Sequence, residues 1–115
     1  MTIEDPRLLP DSLVELVAVR LRVLGQPLRI RMIGHLASGS ATVQELADGL
    51  DVVQQNVSQH LNILHQAGIL TRCREGARVR YALVDPHVLP LFEQAAASIA
   101  RQAEDLVRRI DPDAR

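Results

Sequence analysis

Gln55, Asn56, Ser58, Gln59 and Asn62 place four amides and one hydroxyl within eight residues, with no charge among them. An amide offers a donor and an acceptor side by side, which is the pattern that the edge of an adenine base presents in return. A serine hydroxyl can reach either a base or a phosphate. A second constellation follows. Arg72, Arg74, Arg78 and Arg80 alternate along two short runs separated by Glu75-Gly76-Ala77. On a two-stranded ribbon, alternation puts such residues on one face, where four guanidinium groups could clamp phosphates or enter a minor groove. Each group also has a plainer reading. The amides could be an ordinary polar face, and the arginines could be charges that guard a solvated strand edge.

Both constellations need rigid elements to aim them. Residues 12–24 read as a helix capped by Asp11 or Ser12, with Leu13, Leu16, Val17, Leu21 and Leu24 on one stripe. Gly25 ends it, and Pro27 sits where a first helical residue loses nothing by lacking an N–H. The next helix runs to about Ala37 and breaks at Ser38-Gly39-Ser40. Thr42 and Glu45 form a capping-box pattern for a short helix from Val43 to Asp48, stopped by Gly49. Asp51 is the expected cap of a helix from Val52 to about Gln66, ended by Gly68. On that helix Val53, Val57, Leu61 and Leu64 form the inner face, and at 100° per residue Gln55, Gln59 and Asn62 point away from it. Two helices joined by a short turn make a helix-turn-helix. The arginine ribbon, Ile69 to Arg74 and Arg78 to Leu83, lies just beyond as a hairpin. A last helix runs from Asp85-Pro86 to about Ile110, with Pro90 in its first turns.

That last helix carries the clearest periodicity. Leu89, Phe92, Ala96, Ile99, Ala103, Leu106 and Ile110 recur at alternating spacings of three and four, an a/d seam suited to lying along another helix. Self-association through this seam would present two copies of the amide-bearing helix about one turn of DNA apart, matching a pseudo-palindromic site. The plainer reading is a stripe packed on its own domain.

Charge distribution agrees with a nucleic-acid partner. The 115-residue chain has net charge −1, and all thirteen of its basic residues are arginine. Residues 20–80 hold eight arginines against four acids, while both flanks are acidic. A positive centre between acidic ends suits a protein that meets phosphates with its middle only. The length fits one domain at residues 11–110, with a flexible arm at 1–10 and a frayed tail at 111–115. No apolar run is long enough to span a bilayer. The acidic, proline-broken start does not read as a signal peptide, so a soluble cytoplasmic protein is expected. A lone cysteine, Cys73, excludes an intrachain disulfide. Flanked by arginines, it is either a redox handle or simply a small apolar residue. No nucleophile–base–acid grouping or phosphate loop points to an enzyme.

Three segments in order carry a family resemblance. They are Leu24-Gly25-Gln26-Pro27-Leu28-Arg29-Ile30-Arg31-Met32-Ile33, then Asn56-Val57-Ser58-Gln59-His60-Leu61-Asn62-Ile63-Leu64 with Ala67-Gly68-Ile69-Leu70, then Arg74 to Leu83. Across residues 12 to about 95 the chain resembles the ArsR/SmtB family of bacterial winged helix-turn-helix repressors. The resemblance implies a mainly α fold with a small β-hairpin, in the order of four helices, two strands and a helix. It implies a homodimer on double-stranded DNA, with contacts from Gln54, Gln55, Asn56, Ser58, Gln59, His60, Arg78 and Arg80; apart from the resemblance, Arg29 and Arg31 at the second helix could add backbone contacts. His60 lies near the apolar face, so packing is an equal role for it. Family dimers pair through the first and last helices, which makes Leu13, Val17 and Leu21 the expected partners of the seam.

The family's metal-sensing patterns are incomplete here. No cysteine stands in the segment Glu45 to Leu50, before the amide-bearing helix, where one family site has its thiolates. Asp85 and His87 supply half of a site on the last helix, but Ser98 and Arg101 stand where the other half is expected. Asp85 and His87 thus remain candidate ligands for nickel or zinc, and a cap with a surface histidine is the alternative. The acidic flanks and missing ligands also leave open a DNA-binding subunit that needs a co-regulator protein, or a protein–protein module.

Overall fold

Proline and glycine placement sets the first turns of the chain. A computed structural model describes residues 9–111 and 113. The expected arm at 1–10 and tail at 111–115 lie largely outside the described residues. Helix α1 (Asp11–Leu24) has Pro10 as its N-cap and no side-chain cap, so Asp11 lies in the first turn rather than capping it. Helix α2 (Pro27–Ala37) opens as expected with proline at its first position. Gln26 caps it, its Oε1 accepting from the Arg29 N–H at 3.1 Å.

The chain then makes a two-residue strand, β1 (Ala41–Thr42), which is too short for alternation to reveal. Helix α3 (Val43–Leu50) follows, capped by the Thr42 hydroxyl accepting from the Glu45 N–H at 3.2 Å. Gly49 does not stop α3; it lies inside it. The stop is Asp51, which takes the left-handed conformation at φ 55°, ψ 50° and lets the Val52 N–H reach the Ala47 carbonyl. Asp51 is therefore the C-terminal cap of one helix and not the N-cap of the next. Helix α4 (Gln54–Gln66) starts later than expected, with Val53 as N-cap. At its far end Gly68, at φ 79°, donates to the His65 carbonyl while Ile69 donates to that of Leu64. This paired arrangement is a Schellman motif, and glycine is the residue that adopts its left-handed position most easily.

Strands β2 (Leu70–Glu75) and β3 (Arg78–Leu83) form the hairpin, and β3 also pairs with β1, giving an antiparallel sheet in the order β1-β3-β2. The turn has two residues, not three. Gly76 takes φ 63° and Ala77 does not follow it to positive φ, the pattern of a type II′ turn.

Among the described residues, those up to Val84 form one compact unit and those from Asp85 another. In the first, α2, α3, α4 and the sheet pack together around Met32, Ile33, Leu46, Val57, Leu61, Leu64 and Ile69, each at most 1 % exposed. The second unit holds α5 (Val88–Ile110), 23 residues long with His87 as N-cap. Pro90 is its third residue, where its missing N–H has no intrahelical partner to lose. No helix among the described residues is long and apolar enough to cross a membrane.

Candidate nucleic-acid interface

Helix α4 is held by one face and leaves the other bare. Val57, Leu61 and Leu64 are completely buried. Gln54, Gln55, Ser58, Gln59 and Asn62 are exposed, and Asn56 is half-buried. Val53 departs from the expected inner face: it is 72 % exposed, because it precedes the helix as its cap. Alpha-helical spacing, anchored by those three buried residues, thus aims the amides outward as a set.

His60 is half-buried beside this face. Its Nδ1 accepts a hydrogen bond from Arg29 Nε at 3.0 Å, and Arg29 Nη1 also donates to the Val23 carbonyl at 3.1 Å. A neutral imidazole that accepts at Nδ1 carries its proton on Nε2. Burial, and then the Arg29 charge, hold His60 below its ordinary proton affinity. Arg29, a candidate for a DNA-backbone contact, has its Nε and Nη1 bonded inward, joining the end of α1 to the middle of α4. Its proximity to His60 across 31 residues had no signal in the sequence.

The hairpin register reorders the arginines. Arg72 lies opposite Tyr81 and Arg74 opposite Val79, while Arg78 lies opposite Glu75 and Arg80 opposite Cys73. Directly opposed residues share a face of the sheet. The four arginines therefore do not share one face; they divide into pairs, Arg72 with Arg74 and Arg78 with Arg80. A three-residue turn would have paired Arg74 with Arg78, and the two-residue turn shifts the register by one, which turns one strand over.

Arg78 is exposed and lines an open cleft of about 260 Å³ with Thr42, Val43, Gln44, Gln54 and Val79. The first turns of α3 and α4 and the turn end of the wing thus meet in one place. Gln44 belongs to this surface although nothing in its spacing marked it. Arg80 has another environment. Its Nε donates to Glu75 Oε2 at 2.7 Å, its Nη2 to Glu45 Oε1 at 3.0 Å and its Nη1 to the Ser40 carbonyl at 3.3 Å. Cys73 is exposed on the same face, its Sγ 3.7 Å from the Arg74 carbonyl.

Asp85 and His87 do not build a metal site within one chain. The Asp85 carboxylate accepts from the His87 backbone N–H at 2.9 Å, a local turn. Among the described residues no three His, Cys, Asp or Glu side chains stand where they could hold a metal ion together.

Comparison with known proteins agrees with this geometry. A family model described as a helix-turn-helix domain matches residues 24–73. The HTH-type transcriptional repressor SmtB of Mycobacterium tuberculosis is 40 % identical over 94 residues, covering 82 % of this chain and 70 % of that protein. The biofilm growth-associated repressor of Agrobacterium fabrum is 34 % identical over 90 residues, covering 78 % of this chain and 77 % of that protein. Among solved structures, the antimony-specific transcriptional repressor AntR superposes with a TM-score of 0.74 at 29 % identity, over 90 % of this chain and 99 % of that one. With its helix-turn-helix, its wing and relatives that match along most of their length, the chain belongs to the ArsR/SmtB family of winged helix-turn-helix transcriptional regulators.

Proposed function

We propose that two copies of this chain bind a pseudo-palindromic operator in double-stranded DNA and repress transcription from it. One observation carries the reading: the outer face of α4 is a continuous set of uncharged amides, held out by three fully buried aliphatic residues. Such a face enters the major groove with Gln55 and Gln59 toward base edges and Gln54, Asn56, Ser58 and His60 on the bases or backbone nearby. Arg78, in the cleft beside Gln54, meets a phosphate. Repression follows the names of the relatives, which include the repressors above and a probable mercury resistance operon repressor of Streptomyces lividans.

Dimerisation rests on exposed apolar surface. On α5, Ile99, Leu106 and Ile110 are 66 %, 56 % and 76 % exposed, Ala96 and Ala103 are exposed, and Leu89 and Phe92 are half-buried. On α1, Val17 and Leu21 are exposed and Leu13 is half-buried. A seam this regular on a helix 23 residues long fits a second copy of the same helix. A nickel or zinc effector at Asp85 and His87 would take further ligands from the second chain, since among the described residues no third His, Cys, Asp or Glu of the same chain joins them. No feature of the fold favours a co-regulator protein over the homodimer.

The test is an anisotropy titration of the chain's own upstream promoter fragment against a scrambled duplex, at fixed salt, for wild type and Gln55→Ala/Gln59→Ala. Preference for the promoter that the double variant loses is the expected result. Equal affinity of wild type for both duplexes contradicts the reading.

A further inference from the structure

We infer that Arg80 is a positioning residue of this interface and not one of its DNA contacts: it fastens the wing to the first turn of α3. The inference rests on the proposed DNA-binding role of α4 and the wing, and it assigns a separate task to an arginine that the sequence alone groups with the contacts.

A guanidinium offers its N–H donors in a rigid planar fork. At Arg80 each of its three nitrogens is engaged. Nε binds Glu75, next to the wing turn; Nη2 binds Glu45, in the first turn of α3; and Nη1 binds the Ser40 carbonyl, just before β1. The two carboxylate bonds, at 2.7 Å and 3.0 Å, are charge-assisted and so among the stronger kind. The sequence brings these groups together in two ways. The two-residue turn puts Glu75 and Arg80 on one face of the hairpin as diagonal neighbours. Pairing of Thr42 with Arg80 sets β3 beside the start of α3, where Thr42 caps the Glu45 N–H. Half of the expected capping box is thus made, while the Glu45 carboxylate binds Arg80.

To reach a phosphate, Arg80 would have to leave both carboxylates, exposing two negative charges beside DNA. In place, it offsets one of those two charges and fixes the wing relative to the helix-turn-helix, so that Arg78 on the same face is aimed at the cleft beside Gln54.

The experiment titrates the upstream promoter fragment and a scrambled duplex across a salt series. The proteins are wild type, Arg78→Ala, Arg80→Ala, Glu45→Ala and the Arg80→Ala/Glu45→Ala double variant. A positioning role predicts that Glu45→Ala weakens promoter affinity about fivefold, from one exposed ion pair in each of two subunits, and that Arg80→Ala, which breaks two such pairs per subunit, weakens it more. The double variant is no weaker than the worse single one. The Arg80→Ala salt slope stays that of wild type, whereas Arg78→Ala lowers it by about 0.9 for each phosphate no longer neutralised. The inference is overturned if Arg80→Ala lowers the slope in the same way and Glu45→Ala tightens binding to both duplexes, as removal of an idle negative charge would. Equal binding of both duplexes by wild type would refute the operator reading instead. Hydrogen exchange on the free protein then decides the clamp by itself. Faster exchange of the β2–β3 ladder amides in Glu45→Ala, with α4 amides unchanged, supports it, and unchanged ladder exchange overturns it.

Discussion

Replacing Ile99 by aspartate should separate the two subunits of the proposed dimer. In the single chain Ile99, Leu106 and Ile110 together leave the equivalent of about two whole aliphatic side chains in water. Fully burying one such side chain is worth about 1.5–3 kcal/mol, so these three contribute roughly 3–6 kcal/mol per chain to association when a partner covers them. Ile99, 66 % exposed, accounts for about 1–2 kcal/mol of that, and a two-fold interface loses it in both copies. A carboxylate placed in the apolar seam adds its own desolvation cost. A total near 3 kcal/mol raises the dimer dissociation constant by more than about a hundredfold. Sedimentation velocity at micromolar protein should show wild type as a dimer and Ile99→Asp as a monomer. Circular dichroism should show the same helix content, because Ile99 is already exposed within its own chain. Operator binding should weaken in parallel, since a monomer reads one half-site. An Ile99→Asp protein that sediments as a dimer would refute the assignment of the seam, whatever its DNA affinity.

Three further outcomes follow from particular residues. Arg78→Ala should weaken binding to all sequences and flatten the salt dependence by about 0.9 for each phosphate it ceases to neutralise, measured by titration at several salt concentrations. Asp51→Val should cost about 1–2 kcal/mol of stability in urea denaturation, because a β-branched residue is forced into the left-handed conformation at φ 55°; an unchanged midpoint would refute the cap. His60 binds its proton less readily in the fold than its ordinary value of 6.5, so the unfolded chain takes up the proton first. Stability should therefore fall as pH drops through 6.5 toward the lower folded value and then level off. Melting of wild type should decline more than that of His60→Gln between about pH 7.5 and 5.5, and parallel curves would contradict the burial of His60 beside Arg29.

What the sequence showed and hid divides along physical lines. Long periodic helices were legible because burial repeats every turn: Val57, Leu61 and Leu64 announced the inner face of α4, and the amides opposite them followed by geometry. Pro27 at a helix start and Gly68 at a helix end were legible because each residue has a backbone preference of its own. Asp51 was not, since aspartate serves equally as an N-cap and as a left-handed residue, and only the Ala47 carbonyl's bond to Val52 decides between them. The hairpin was located correctly, but its turn was read one residue too long. That single residue separates Arg72 and Arg74 from Arg78 and Arg80 and brings Arg80 to Glu75. Contacts between segments far apart in sequence, such as Arg29 with His60 or Arg80 with Glu45, leave no periodic trace at all.

The central claim is that two α4 helices read two half-sites from the major groove. Methylation interference on the upstream promoter fragment, which reports guanine N7 in that groove, tests it most directly. The account predicts two patches of interference on one face of the duplex, about 10 base pairs apart, both lost in Gln55→Ala/Gln59→Ala. A single patch, or binding indifferent to methylation at every position, would contradict it.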